Sequence, residues 1–233
     1  MTYGGRSTLD FGVYISGEDT WVKPSPRIER TSIPGRNGDL IRFTGAYDNV
    51  EISYHCGIGR HFDVKYPAFM NYLLSDPVYK RLEDSYHPDV YRMGLVDIVR
   101  TPTVGTLHRS GEFDVSFTCK PQSYLKSGEQ KQTFTANGTI YNPTAYDAKP
   151  LLRVYGTGTF GIGSSSVTIT AANQYTDLDC ELEDAYKDNS SNNCNGYVQI
   201  TGDHFPVIPS GTQGVSLGSG ITKIEIIPRW WRL

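Results

Sequence analysis

The segment Arg27–Phe43 reads RIERTSIPGRNGDLIRF, two strand-like runs separated by the dipeptides Pro34-Gly35 and Asn37-Gly38. Proline presets the backbone for the first corner of a turn, and Gly and Asn tolerate the left-handed conformation that closes one. The stretch IPGRNGDL, Ile33–Leu40, therefore predicts a hairpin tip that presents Pro34, Gly35, Arg36, Asn37 and Gly38 to solvent, with the guanidinium of Arg36 at its end.

The same texture of short extended runs and turns extends along the chain. Aromatic residues make up 12% of the 233 positions, with 24 Gly and 13 Pro, a pattern of β-sandwiches and barrels. Strand candidates before residue 120 are TLDFGVYI, RIERTSI, DLIRF, VEISYHCGI, VYRMGLVDIVR and GEFDVSFTCK. Only YPAFMNYLLSD has helical spacing, with Pro67 in a first turn and Phe69, Met70, Leu73 and Leu74 on one apolar face that covers a sheet. After Lys120 the polar run PQSYLKSGEQKQ precedes about 100 residues of strand and turn, so the chain divides near residue 128. Residues 1–128 are expected as one domain of strands with one helix, and residues 129–233 as a β-sandwich.

Charge and cysteine content exclude several classes of function. A net charge of −3 gives no basic field to hold nucleic acid or an anionic membrane. No run is long enough to span a bilayer, and the N-terminus lacks the basic and apolar regions of a secretory signal, so the protein is expected to start in a cytoplasm. Cys56, Cys119, Cys180 and Cys194 form no C-x-x-C pair and are expected as free thiols, the first three as small buried hydrophobes. The sequons at Asn137 and Asn189 are then chance matches.

Motifs that suggest chemistry have simpler readings. GTGTFG, Gly156–Gly161, matches a dinucleotide fingerprint, yet IGSSSVTIT follows it where a helix is required, so a strand-to-strand turn is expected. In DLDCELED, alternation places Leu178, Cys180 and Leu182 on one side and Asp179, Glu181 and Glu183 on a solvated one. His55, His61, His87, His108 and His204 sit in no catalytic motif, so neither an enzyme nor a cofactor or metal site is expected. The terminal IEIIPRWWRL puts Pro228 at the end of a strand, followed by Arg229, Trp230, Trp231 and Arg232. Two tryptophans must be covered; one ring is expected in a core and the other at a domain junction, with the arginines pairing with acids such as those of DLDCELED.

Six segments in order, IPGRNGDL, SDPVYKRLEDSYHPDVYRMG with FTCKPQSYL, YNPTAYDAKPLLRVYGTG, LDCELEDAYKD, HFPVIPSGTQGV and IEIIPRWWRL, resemble the distal tail (Dit) proteins of long, non-contractile-tailed bacteriophages. The resemblance covers almost the whole chain. It implies a structural virion protein at the tail tip, assembled in the host bacterial cytoplasm, whose N-terminal domain, a β-sheet with one helix and a projecting hairpin, closes a homohexameric ring and whose C-terminal domain is a galectin-like β-sandwich. Such a ring docks to the tail tube protein on one side and to a tail-associated lysin or tail-tip protein on the other, with receptor-binding proteins attached outside. The alternative reading is a free-standing carbohydrate-binding β-sandwich. Trp21 lies far from Trp230 and Trp231, and those two follow a strand-ending proline, which does not suit a sugar-binding sheet face.

Overall fold

The computed structural model describes residues 1–16, 22–105, 107, 109–172 and 174–233, with only the backbone described at Ile98; Trp21 and His108 lie outside the described residues. The chain divides into two compact units, Met1–Ser123 with Leu233, and Tyr124–Arg232.

In the first unit the strands are β1 (Thr2–Tyr3), β2 (Arg6–Ser7), β3 (Tyr14–Ser16), β4 (Pro26–Ser32), β5 (Asp39–Tyr47), β6 (Val50–Ile58), β7 (Lys80–Glu83), β8 (Val90–Val99), β9 (Thr103–Val104) and β10 (Gly111–Leu125), whose last residues belong to the second unit. A sheet runs in the order β2-β1-β7-β8-β10-β6-β3, and β9 also pairs with β10. Strict alternation builds its middle. β6 and β10 pair antiparallel from Val50 opposite Cys119 to Ile58 opposite Gly111. Val50, Ile52, Tyr54, Cys56 and Ile58 are buried with Phe113, Val115, Phe117 and Cys119, while Glu51, His55, Glu112 and Asp114 take the other side. The helix α1 (Phe62–Leu74) closes the core with Phe62, Phe69 and Leu73.

The second unit contains β11 (Gln132–Phe134), β12 (Gly138–Asn142), β13 (Leu151–Gly156), β14 (Gly158–Ile162), β15 (Ser165–Ile169), β16 (Tyr175–Asp179), β17 (Asp184–Lys187), β18 (Asn189–Asn193), β19 (Val198–Thr201), β20 (Gly211–Leu217), β21 (Ile221–Ile227) and β22 (Trp231–Arg232). A six-stranded sheet, β11-β21-β13-β16-β17-β18, faces a five-stranded one, β12-β20-β14-β15-β19. Leu152, Val154, Leu178, Ile224 and Ile226 from the first meet Ile140, Phe160, Ile162, Val167 and Val215 from the second in one buried cluster. On the outward side of the five-stranded sheet, Ser216, Gly161, Ser166 and Thr201 line up across four strands, and Thr159, Thr168 and Gln199 form the next row. The fold is mainly β, with α1 as the one α-helix among the described residues.

The GTGTFG run is an inter-sheet crossing, as the lack of a following helix requires. The chain passes from β13 to β14 through Gly156-Thr157-Gly158 and from β20 to β21 through Gly218-Ser219-Gly220, and the two crossings lie backbone against backbone. A Cβ on Gly156 or Gly220 would overlap the carbonyl oxygen of Gly220 or Thr157, and both glycines have positive φ, +97° and +90°.

Several expectations are corrected. TLDFGVYI is not one strand: Ser7 and Asp10 form a capping box around a short 3-10 helix, Thr8–Phe11, and only Tyr14–Ser16 extends as β3. The helix begins at Phe62, so Pro67 lies inside it and not in its first turn; the apolar stripe is Phe62, Tyr66, Phe69, Leu73, and Leu74 is exposed. β10 continues through Pro121 to Leu125, into the run read as polar turn. DLDCELED does not alternate throughout. β16 ends at Asp179, a turn carries exposed Leu182, and Asp177 and Asp179 are buried at 3% and 4% exposure, because each meets an arginine.

Candidate functional site

Among the described residues β4 and β5 pair only with each other, in register from Ser32 opposite Asp39 to Ile28 opposite Phe43. The tip is closed by Arg36 N–H donating to the Ile33 carbonyl at 3.1 Å, with Gly35 and Gly38 at φ +80° and +83°. Pro34, Gly35, Arg36, Asn37 and Gly38 are all exposed. Period two places Ile28, Arg30, Ile41 and Phe43 on one face, where the Phe43 ring meets Tyr47 edge-on at 5.4 Å, and Leu40 on the other with Glu29 and Arg42, which lie 3.5 Å apart. Leu40, Ile41 and Phe43 are 52%, 62% and 48% exposed. The base is held by Arg27 on Asp48 at 2.7 Å and by Thr44 Oγ1 donating to the Arg27 carbonyl at 3.0 Å. A two-stranded hairpin is marginal by itself in water, and large apolar side chains left exposed on one call for a cover.

The C-terminal segment is anchored within the second unit. After Pro228, Arg229 adopts φ +59°, donates its backbone N–H to Gly128 O at 2.8 Å, and forks onto Asp179 at 2.7 and 2.9 Å. Gly128 is required there, since a Cβ would overlap the Trp230 nitrogen. Trp230 is 3% exposed in the sandwich core, and its carbonyl accepts from Leu125 N–H at 2.8 Å. The ring of Trp231 stacks on Tyr146 at 4.5 Å and 22°, and its Nε1 donates to the Asp147 carbonyl at 2.9 Å. Burial pushes the Asp179 carboxyl up, but the hydrogen bonds and charge of Arg229, with N–H groups of Leu182 and Glu181, outweigh it and hold the group below its ordinary value.

One buried polar cluster was not read from the sequence. Asp84 accepts from Tyr54 Oη at 2.6 Å, from the backbone N–H groups of Tyr86 and His87, and lies 3.2 Å from His87 Nδ1. Burial raises its pKa, yet the Tyr54 and His87 hydrogen bonds leave it lowered. The only sequence signal was the D-x-x-H spacing of an Asx turn. His55 meets Asp114 at 2.7 Å and His204 meets Glu183 at 3.3 Å, both exposed. No group of three His, Cys, Asp or Glu among the described residues is placed to hold a metal. All four cysteines are free, and Cys56, Cys119 and Cys180 are buried hydrophobes as expected.

Neither a family model nor a curated protein matches the sequence. Solved structures do. The SPP1 Dit protein, described as a paradigm of the hub adsorption apparatus in phages that infect Gram-positive bacteria, superposes with a TM-score of 0.68 at 15% identity over 99% of this chain and 98% of its own. Chains of the phage p2 baseplate in its activated conformation match at TM-scores of 0.53 with strontium and 0.50 with calcium, at 12% and 10% identity, each over 94% of this chain and 92% of theirs. The chain therefore has, across both units and nearly end to end, the fold of the SPP1 Dit protein.

Proposed function

We propose that this protein is a structural hub of a phage tail tip, a distal tail protein whose copies close into a hexameric ring through residues 1–128. The observation that carries the reading is the β4–β5 hairpin, which leaves Leu40, Ile41 and Phe43 exposed on the isolated chain, in a fold shared nearly end to end with a hub protein. A surface of this kind docks on a different surface of the next copy, and such heterologous contacts make finite particles only when they close a ring. Arg36, exposed at the tip, is the group proposed to pair with a carboxylate of that neighbour.

The ring is proposed to join the tail tube protein to a tail-associated lysin or tail-tip protein, with receptor-binding proteins outside, as part of the virion and without catalytic activity of its own. The outward side of β6 and the stretch of β10 paired with it carries Glu51, Glu112 and Asp114 and no lysine or arginine. That surface suits a channel wall past which DNA slides without counterion release. The test is the mass of the full chain in solution, with hairpin variants as controls.

A further inference from the structure

Asn-Gly dipeptides occur three times in the chain, at Asn37-Gly38, Asn137-Gly138 and Asn195-Gly196. In such a pair the main-chain nitrogen of the glycine can close on the side-chain carbonyl carbon of the asparagine, because no Cβ stands beside the attacking nitrogen and the glycine turns readily into the required geometry. The fold prevents this at two of the three. Asn137 Oδ1 accepts from Leu217 N–H at 2.8 Å, and Gly138 is tied into the β12–β20 ladder opposite Val215. Asn195 is held at both ends of its amide, Oδ1 by Ala185 N–H at 2.7 Å and Nδ2 by Asp184 Oδ1 at 2.8 Å, and its main chain is fixed in the 3-10 turn Asn195–Tyr197.

The pair at the hairpin tip has none of these restraints. Asn37 and Gly38 are exposed in the bend between β4 and β5, outside the ladder that ends at Ser32 opposite Asp39. Among the described residues the Asn37 amide makes no hydrogen bond, Gly38 N–H donates to no backbone carbonyl, and nothing lies within 4 Å of where a Gly38 Cβ would be. We propose that the hairpin tip is a self-modification site, at which Asn37 loses its amide in the folded protein while Asn137 and Asn195 keep theirs. Gly38 N bonds to Asn37 Cγ, its proton passes through solvent to Nδ2, the Cγ–Nδ2 bond breaks, and the amide nitrogen leaves as ammonia. Water then opens the resulting cyclic imide at either carbonyl, giving aspartate or the isomer whose main chain runs through Cγ. Nothing is oxidised or reduced, and solvent water is the sole co-reactant. Either product sets a carboxylate beside Arg36, where it competes for the guanidinium with an acid of a neighbouring copy. That consequence, unlike the chemistry, rests on the proposed ring.

The test is a peptide map of the full chain and of Phe43→Asp, each incubated folded at pH 8 in water enriched in heavy oxygen. The expected result is loss of the Asn37 amide alone, with solvent oxygen in the product. The loss should be slower at pH 5, where less of the attacking nitrogen is deprotonated, and should spread to Asn137 and Asn195 once urea is added. Phe43→Asp keeps the arm uncovered whether or not the parent assembles. Retention of the Asn37 amide in that variant overturns the proposal, and so does equal loss at all three pairs in the folded chain. Loss that is slower in the parent than in Phe43→Asp supports both the chemistry and a tip covered by a neighbour. Asn37→Asp should lower the assembled share in light scattering as Arg36→Ala does, and full assembly by Asn37→Asp overturns the consequence for the ring. A parent that stays monomeric contradicts the ring instead, and the map of Phe43→Asp then decides the modification by itself.

Discussion

Arg229 donates to both carboxylate oxygens of Asp179, 50 residues away in sequence, and so clamps the start of the terminal segment to the end of β16. The pair is largely buried, at 22% and 6% side-chain exposure. Removing one partner strands the other charge, a change that costs about 2 to 4 kcal/mol in a site that keeps some solvent. Asp179→Asn should lower stability by that amount in urea titration, and a change under about 0.5 kcal/mol would place the pair among ordinary surface ion pairs.

The same clamp sets a pH dependence. The folded pKa of Asp179 lies below its unfolded value, near 4, so its contribution is complete above that value and is lost as pH falls through the folded one. Asp84 adds a second contribution of the same sign. The parent should lose stability steeply below about pH 4, and Asp179→Asn should show a shallower decline over that range. Parallel pH profiles for the two proteins would show that Asp179 titrates normally.

Trp230 and Trp231 should be unequal. Trp230 fills the sandwich core, and Trp230→Ala is expected to cost about 3 to 5 kcal/mol. Trp231→Ala removes one stacked ring contact and one hydrogen bond, about 1 to 2 kcal/mol together. Equal losses in thermal melts, or a deletion of residues 229–233 that melts like the parent, would contradict the structural role of this segment.

What the sequence revealed follows from the range of the interactions. VEISYHCGI and GEFDVSFTC were legible because alternation holds through both, and IPGRNGDL because turn chemistry is local. The helix start was hidden by Pro67, a start signal that here sits mid-helix behind the aromatic stripe of Phe62 and Tyr66. β18 could not be seen at all, since NSSNN holds no apolar residue, and it forms because β17 offers an edge. Asp179 read as a solvated acid, although the expected pairing of a terminal arginine with this run is made on it by Arg229, and Arg153, which buries Asp177, arrives from β13 and was not read. The exposure of the hairpin was visible in its tip. That Ile28, Ile41 and Phe43 lie together, with Arg30 beside them, was not, because register is needed to sort those residues to one side.

The thiols should separate by burial. Burial pushes Cys56 and Cys119 up to about 12 and raises Cys180 as well, which suppresses the reactive thiolate. Cys194 is only partly buried. In the native protein at pH 8, a disulfide-exchange reagent should titrate Cys194 alone, and all four thiols once urea is added. Rapid reaction of two or more in the native state would mean that the cores open on that timescale.

The hairpin should matter to assembly and not to folding. Arg36 and Phe43 lie in the exposed β4–β5 arm, so Arg36→Ala and Phe43→Asp are expected to shift the melting of the monomer within the small range of surface substitutions. Both should lower the share of assembled protein in light scattering, Phe43→Asp more, since it puts a charge in an apolar contact. Full assembly by both variants would return IPGRNGDL to a plain turn.

The central claim is tested most directly by native mass measurement of the full chain at micromolar concentration, paired with negative-stain images. The account predicts a closed six-fold ring at six times the 26.0 kDa chain mass, dissociated by Phe43→Asp. A monodisperse 26.0 kDa monomer at that concentration, with the hairpin intact, would contradict it.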